Sequence, residues 1–180
     1  VDLQAIINAK FIKTQDEFGE KSAPQIDFVA SISPQGLSLE SGVTLKDLYG
    51  KILLQGSMRN GKPKAWGIIQ MSNIEVHKLA KIHNFSSNFY FDGNSITLHD
   101  ILADMYNGQV MAEITLDLDT TKIELKTKIA NIDLRKYSRD TAYAEKEIGG
   151  YLDFDLLLQG HLNEIQKVWG EGVLTLRKAQ

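Results

Sequence analysis

Four histidines, His77, His83, His99 and His161, are the residues of this sequence best suited to bind a metal ion. Two histidine ligands on one helix need a separation of three or four residues, which none of these pairs has. His99 has an acidic neighbour in Asp100, but adjacent residues of a strand point to opposite faces. The spacing is therefore typical of surface histidines, and the sequence predicts no metal site.

Two pairs of carboxylates could support acid–base hydrolysis, because Asp153 and Asp155, and likewise Asp117 and Asp119, share one side of a strand. Each pair alternates with apolar residues, which is the ordinary pattern of a strand with one face in water. A hydrolase using Asp153 and Asp155 would also need a pocket that joins them and a raised carboxylate pKa. The sequence favours the solvent-face interpretation.

The sequence contains neither a nucleophile elbow nor a phosphate-binding loop. No G-x-S-x-G segment appears, and we interpret Ser86 and Ser87 as the solvent face of an aromatic strand. The pair Gly149-Gly150 precedes a strand, whereas a dinucleotide loop follows a strand and opens a helix. We therefore predict no catalytic residue and no cofactor.

Aromatic side chains are the last group that could bind a ligand. Phe85, Phe89 and Phe91, together with Tyr106, could make a platform for a sugar or a nucleobase. Aromatic residues at a period of two more often line the core of a sheet, and that interpretation is favoured.

Composition narrows the class of protein and its partners. The chain has 180 residues, of which 43% are hydrophobic and 24% charged, so we expect one folded domain. The formal net charge is −3, and lysines and arginines are scattered singly, which argues against nucleic-acid binding. The absence of cysteine is compatible with both the cytosol and the bacterial periplasm.

Alternation of apolar and polar residues is the dominant pattern of the chain. It recurs at residues 3–11, 26–32, 85–91, 110–118, 123–129 and 152–158. Turn signals lie at residues 33–36, 59–62, 92–94 and 107–108. The pattern predicts a mostly β fold, an antiparallel meander of long strands.

Helical periodicity is scarce, so we predict only one or two short helices. The best candidates are residues 134–148 and 162–169, and residues 45–48 and 76–82 could each form a turn or two. None of these segments is long enough to organise a core, so the sheet must do so.

A short internal echo links residues 43–48, VTLKDL, to residues 96–101, ITLHDI, at a displacement of 96 − 43 = 53 residues. Such a match could mark a duplicated strand-turn-strand unit. A six-residue match is weak evidence for duplication, because strand-to-turn junctions favour Thr, Asp and Leu in any case, and both interpretations stay open.

The start of the sequence indicates that residues 1–180 are a single β-rich domain cut from a larger protein. The chain begins inside a strand-like pattern, without an initiator Met or a charged-then-apolar leader. No stretch approaches the roughly 18–20 continuous apolar residues that a spanning helix needs. We expect any membrane anchor to lie outside this sequence.

Four segments, read in order, carry a resemblance to a known family. "SITLHDILADMYNGQV" resembles a strand, a short linking passage and a strand that starts at a glycine, and "MAEITLDLDTTKIELKTKIANIDLRKY" resembles the long strand, return strand and helix start that follow. "IGGYLDFDLLLQG" and "IQKVWGEGVLTLRKAQ" are similar to two later strands bounded by glycines. Together they resemble the AsmA family of bacterial envelope proteins, in the region leading into its C-terminal domain. The resemblance covers residues 43–180 in style and 95–178 in detail, and residues 1–42 match no part of it.

This resemblance implies a periplasmic protein whose parent is anchored in the inner membrane. Long curved strands would form a taco-like groove or half-barrel lined with apolar side chains. The groove would carry phospholipid, or another acyl-chain ligand, toward the outer membrane and so serve outer-membrane assembly. The family implies neither enzyme activity nor a cofactor, and envelope proteins would be further partners.

The candidate lipid-groove residues are the apolar positions of the best-patterned strands: Val110, Ala112, Ile114, Leu116, Leu118, Ile123, Leu125, Ile129, Leu152, Phe154, Leu156 and Leu158. We expect these residues to share one face of the sheet. Whether that face is an open groove, or folds over to fill its own core, stays open. The alternative function is a secreted β-sandwich module that binds glycan or protein through residues 85–91.

Overall fold

The computed structural model of the chain describes residues 2–12, 25–41, 43–59, 61–76, 79–141, 143 and 148–178. These residues contain one sheet of ten antiparallel strands that follow each other in chain order. The strands are β1 (Asp2–Ile12), β2 (Gln25–Ser41), β3 (Val43–Arg59), β4 (Lys62–Val76), β5 (Ala80–Phe91), β6 (Ser95–Met105), β7 (Gly108–Asp117), β8 (Lys122–Asp133), β9 (Tyr151–His161) and β10 (Trp169–Arg177). The sheet is open, with β1 and β10 at its edges, and the predicted antiparallel meander is confirmed.

The hairpin between β6 and β7 follows the predicted turn at residues 107–108, with one shift. Met105 pairs with Gly108, so the two-residue loop is Tyr106 and Asn107, both with positive φ (47° and 66°). Gly108 is the first residue of β7, where a Cβ would lie 2.4 Å from the carbonyl oxygen of Ala130. Positive φ at both loop residues suits the twist of a tight hairpin.

Two other predicted turns lie where the sequence indicated them. Between β5 and β6, the carboxylate of Asp92 accepts hydrogen bonds from the backbone N–H groups of Asn94 and Ser95 at 3.0 and 2.8 Å. These bonds lower the pKa of Asp92. Gly61 occupies the turn between β3 and β4, and residue 60 lies outside the described part of the chain.

The predicted turn at residues 33–36 is wrong, because these residues continue β2. The strand register shifts between Gln35 and Leu37, and Gly36 has φ of 71° at this β-bulge. A glycine in the left-handed conformation serves a bulge as well as a reverse turn, so the local signal could not distinguish them.

The helix predicted over residues 134–148 ends earlier than expected, at Asp140, and residues 142 and 144–147 of that prediction lie outside the described part of the chain. Helix α1 spans Leu134–Asp140, and the side chain of Asp133 caps it by accepting from the N–H groups of Arg135 and Lys136. The segment predicted over 162–169 contains a single 3₁₀ turn, Ile165–Lys167.

The helical prediction for residues 45–48 is wrong, because these residues belong to β3 and pair with neighbouring strands, which overrides a weak local helix signal. Residues 76–82 end β4 and begin β5, and between the two strands the N–H of Leu79 donates to the carbonyl oxygen of Val76 at 2.9 Å, which closes a turn. Residues 77 and 78 lie outside the described part of the chain.

Several β-bulges adjust the strand register among the described strands. Five of them carry a residue with positive φ: Gly36, Asp47, Asn84, Asp100 and Asn131. Each adds one residue to its strand. The residues that face the apolar side therefore change from even-numbered to odd-numbered positions, or the reverse, across the bulge. In β6, for example, Leu98 precedes the bulge and Ile101 follows it on the same side.

The internal echo coincides with two of these bulges. Asp47 and Asp100 occupy the same position of the two six-residue matches, and both have positive φ, of 52° and 53°. Asp and Asn tolerate this conformation better than most residues. The echo therefore marks a repeated local structure near the start of β3 and β6.

The tightest packing lies where α1 meets the sheet. Ile132 is 1% exposed, and the rings of Tyr106 and Tyr137 meet edge to face at 5.5 Å. The Tyr106 hydroxyl accepts a hydrogen bond from the backbone N–H of Lys81 at 2.9 Å. Burial is the main reason that the pKa of Tyr106 is raised.

We predict that Ile132→Ala lowers the free energy of unfolding by about 2–5 kcal/mol, because it removes buried methyl groups and leaves a cavity. Urea denaturation followed by circular dichroism measures this change. The matched control is Ile7→Ala on the edge strand β1, where the side chain is 68% exposed. If Ile7→Ala lowers the free energy of unfolding as much as Ile132→Ala does, the assignment of Ile132 to the core is contradicted.

Candidate functional site

One row of side chains crosses the whole sheet with a single residue from each strand. Residues directly opposite each other in an antiparallel pair point to the same face. Following the pairs from β1 to β10 gives Ile7, Ala30, Leu54, Gly67, Phe89, Leu98, Ile114, Leu125, Leu158 and Gly170. Every member is apolar or glycine, and we call the face that contains this row the apolar face.

The neighbouring row on the other side has a different chemistry. It reads Asn8, Val29, Gln55, Trp66, Tyr90, Thr97, Thr115, Glu124, Gln159 and Trp169. We call this side the polar face. The two faces differ most clearly between β6 and β9, where this row consists of Thr97, Thr115, Glu124 and Gln159.

The structure brings together eleven of the twelve predicted groove residues. Val110, Ile129 and Phe154 form a row with Ala103 and Leu174. The remaining members lie in parallel rows on the apolar face: Ala112, Ile114, Leu116, Ile123, Leu125, Leu152, Leu156 and Leu158. Leu118 is the exception, because it lies in the exposed turn after β7. Their binding of lipid stays a prediction.

The apolar face is the less exposed one, although the described elements include no second sheet to cover it. In β6, Ile101 on this face is 5% exposed, whereas its neighbour Leu102 on the polar face is 52% exposed. In a single-layer sheet, side chains on the inner side of a curve crowd together and shield each other. We infer that the sheet curves toward the apolar face and makes it concave.

The ends of the concave face differ from its middle. Helix α1 packs near β5 and β8 at one end, beside Ile132. At the other end, Val168 lies so close to Gly160 that an added Cβ would be 2.7 Å from the Val168 Cα. Local packing therefore limits the apolar face near β8 and β9 at both ends of the strands.

Two hydroxyl groups on the apolar face donate to backbone carbonyl oxygens. The Ser87 Oγ donates to His99 at 3.1 Å, and the Thr127 Oγ1 donates to Met111 at 3.2 Å. Ser87 is buried, so its predicted place on the solvent face is wrong, whereas Ser86 does lie on the polar face. Satisfied hydroxyls leave the face with little demand for hydrogen bonds from a ligand.

The aromatic strand contributes mainly to the apolar face. Phe85, Phe89 and Phe91 lie opposite Met71, Gly67 and Ala65 and share their face. Tyr106 lies apart from them, in the β6–β7 loop. The four predicted aromatic residues therefore do not form one platform.

The predicted carboxylate pair of β9 makes a structural contact. Asp153 accepts from the Nε and Nη2 of Arg177 at 2.7 and 3.0 Å and from the backbone N–H of Asn131 at 2.7 Å. The bond to Arg177 is the largest cause that lowers the pKa of Asp153. A general acid needs the opposite shift, and Asp155 is exposed in the same strand.

Asp117 stabilises the turn after β7. Its carboxylate accepts from the N–H and the hydroxyl of Thr120 at 2.7 and 2.8 Å, and these bonds lower its pKa. Asp119 accepts a hydrogen bond from the side chain of Asn94 in the neighbouring turn. This second carboxylate pair therefore joins two turns at one end of the sheet.

The histidines are dispersed. His83 and His99 are exposed, and the Nδ1 of His161 lies 2.9 Å from the carbonyl oxygen of Thr120. His77 lies outside the described residues. Within the described ranges, no group of three or more His, Asp or Glu side chains could hold a metal ion.

A patch of exposed apolar side chains on the polar face was not predicted. It consists of Val29, Leu53, Trp66, Ile68 and Tyr90, around a shallow cleft of about 520 Å³, and we call it the outer patch. The sequence did contain a signal for this patch, in the pairs Leu53-Leu54 and Ile68-Ile69. Successive residues of a strand point to opposite faces, so each pair places one apolar side chain on the polar face.

No family model, curated protein or solved structure matches this chain. The relation to the AsmA family therefore stays a resemblance in the quoted segments. Among the described residues, no helix has both the length and the apolar character to cross a membrane.

We predict that Arg177→Gln raises the pKa of Asp153, because it removes the guanidinium that stabilises the carboxylate. The folded pKa is lowered, so the contribution of Asp153 to stability is complete above the ordinary aspartate pKa. That contribution is lost as the pH falls through the lowered value. Carbon-13 NMR titration and urea unfolding at neutral and acidic pH measure both effects.

The matched control is Arg59→Gln, which removes an arginine paired with Asp27 on another strand. It should leave the pKa of Asp153 unchanged. An Asp153 pKa that Arg177→Gln does not alter would contradict the assigned contact.

Proposed function

We propose that this chain is a non-catalytic section of an AsmA-like periplasmic protein whose apolar face shields the acyl chains of phospholipid. The observation that carries the proposal is the row of ten apolar or glycine residues, one from every strand. Soluble proteins rarely leave an apolar surface of this width uncovered.

An acyl chain fits the chemistry of the apolar face. The hydroxyls of Ser87 and Thr127 donate to backbone carbonyls, so the face offers almost no fixed polar partner. Burying a methylene group gains about 0.8 kcal/mol, so a 16-carbon chain gains on the order of 10 kcal/mol. This attraction has no direction, so a bound chain can slide along the face.

The dimensions of the sheet also support the proposal. Strands lie about 4.8 Å apart, so ten strands extend over roughly 45 Å. The hydrocarbon core of a bilayer is about 30 Å thick. A single section of this kind could therefore cover whole acyl chains while the headgroup stays in water.

The cellular setting of the proposal comes from the resemblance. We propose a parent protein anchored in the inner membrane that conducts phospholipid toward the outer membrane and assists its assembly. Envelope proteins would be further partners. No cofactor and no nucleic acid has a role in this proposal.

We predict that protein purified without detergent carries phospholipid detectable by native mass spectrometry. Leu156→Asp on the apolar face should weaken binding of a fluorescent phospholipid by at least about tenfold, because a carboxylate in an apolar site is costly. Leu157→Asp is the matched control, since Leu157 is the next residue of the same strand and pairs with Lys126 on the polar face.

Phospholipid binding is compared only among variants whose circular dichroism shows the same β-sheet content as the natural chain. Equal loss of binding in both leucine variants would contradict a role for the apolar face. Absence of phospholipid from every detergent-free preparation would also contradict the proposal.

A second candidate function is a module that binds glycan or protein, and the outer patch favours it. Trp66 and Tyr90 are direct cross-strand partners on the polar face. Exposed Trp and Tyr side chains are frequent in binding surfaces. For this function we predict that Trp66→Ala reduces binding on a glycan array or to a protein partner, whereas Leu156→Asp does not.

A further inference from the structure

The outer patch lies inside the sheet, away from both of its edges. Its residues belong to β2, β3, β4 and β5, and each of these strands pairs with a neighbour on both sides. The exposure of the patch therefore does not depend on what pairs with β1 or β10. Its cleft of about 520 Å³ lies within the usual size range of small-molecule sites, and the chemistry of its lining indicates which ligand it fits.

Two aromatic side chains line the cleft. Trp66 and Tyr90 are direct cross-strand partners, and both are exposed. Within the described residues, rings contact each other at Tyr106, Tyr137 and Tyr143, whereas Trp66 and Tyr90 do not stack on each other. Their faces therefore stay available to a ligand. The electron-rich face of an aromatic ring attracts weakly positive hydrogen atoms, such as the C–H groups on the flat side of a sugar ring.

The polar side chains of the cleft carry amide and imidazole groups. They are Gln55, Asn88 and His99, and all three are exposed. The Nδ2 of Asn88 donates to the carboxylate of Asp100 at 2.9 Å, which orients the amide before a ligand binds. Amide and imidazole groups both donate and accept hydrogen bonds, as sugar hydroxyls do. Among the described lining residues there is no lysine, arginine or carboxylate, so the cleft matches a ligand without net charge.

Aliphatic side chains complete the lining and restrict the kind of sugar. Val29, Leu53 and Ile68 are exposed in the cleft. An unsubstituted hexose has hydroxyl groups around its rim, and hydroxyls placed against these side chains would lose hydrogen bonds to water without replacement. The methyl group of an acetamido substituent suits an apolar wall, while its amide can bond to a side chain such as Asn88. The lining therefore favours an N-acetylated sugar over an unsubstituted one.

We propose that the cleft of the outer patch binds an uncharged, N-acetylated sugar residue. The sugar ring stacks on Trp66 and Tyr90. The acetamido group places its methyl against Leu53 and Ile68, and its amide bonds to Asn88. This inference rests on the second candidate function, the binding of glycan or protein, and names the ligand. It is independent of acyl-chain binding, because it uses the opposite face of the sheet.

Fluorescence of a full-length chain with one tryptophan tests the stacking. The sequence contains two tryptophans, and Trp169→Phe leaves Trp66 as the single reporter. Trp169 lies in β10 and does not line the cleft. Titration with chitotriose, the linear trimer of N-acetylglucosamine, should shift the emission of Trp66 to shorter wavelength and saturate, because the sugar removes water from the indole ring.

Cellotriose is the matched ligand, since it has the same linkage and a hydroxyl in place of each acetamido group. By calorimetry, the natural chain should bind cellotriose at least about tenfold more weakly than chitotriose, because the acetamido contacts are missing. This comparison requires no variant, so a substitution that prevents folding cannot obscure it.

Two variants assign the contacts, and a third is their control. Trp66→Ala should weaken chitotriose binding by at least about tenfold, because it removes half of the aromatic platform. Ile68→Ser should abolish the preference for chitotriose over cellotriose, because the apolar wall is lost while both rings remain. Leu102→Ser should change neither affinity, since Leu102 is exposed on the polar face but lies outside the cleft.

Three results would overturn the proposal. Equal affinity of the natural chain for the two sugars would leave glycan binding intact but exclude recognition of the acetamido group. Chitotriose binding that Trp66→Ala leaves unchanged would place the sugar outside the cleft. Failure of both sugars to bind would reject glycan as the ligand, and a protein partner lost in Trp66→Ala would then identify the other form of the second candidate function. Phospholipid binding is measured with Leu156→Asp on the other face, so it stands or fails separately.

Discussion

The register of the antiparallel ladder is the constraint on which the rest of this structure depends. Side chains alternate with a period of two, so a slip of one residue in any strand would move its apolar residues to the other face. Ten strands nevertheless contribute an apolar or glycine residue to one unbroken row from Ile7 to Gly170. The proposed interaction with acyl chains rests on that alignment.

The β-bulges keep apolar residues on one face even in strands where their spacing departs from two. Asp47, Asn84, Asp100 and Asn131 adopt positive φ, and each bulge restores the apolar side after one additional residue. Around Asn131 the neighbouring strands stabilise the bulge, because Asp153 accepts its backbone N–H and is held by Arg177. A carboxylate that could have suggested catalysis therefore keeps the ladder aligned.

Because the described sheet is a single layer, its apolar face is available as a binding surface. Helix α1 has seven residues and packs near one end of the strands, and the described elements include no second sheet. Some apolar side chains, such as Ile101 and Met71, are buried by their neighbours within the sheet, whereas others on the same face stay partly exposed. The continuity of this face is the feature on which the proposed binding of acyl chains rests.

The sequence by itself determined the fold class and the local elements with the clearest alternation. Period two in β7, β8 and β9 indicated which residues share a face, and the Asn107-Gly108 signal marked the hairpin between β6 and β7. These features depend on neighbours in the chain. Tertiary structure decided whether the glycine signal at residues 33–36 became a turn or a bulge, and whether residues 45–48 became helix or strand. It also decided which residues of distant strands meet in one row, because register across bulges is fixed by hydrogen bonds between strands and not by local preference.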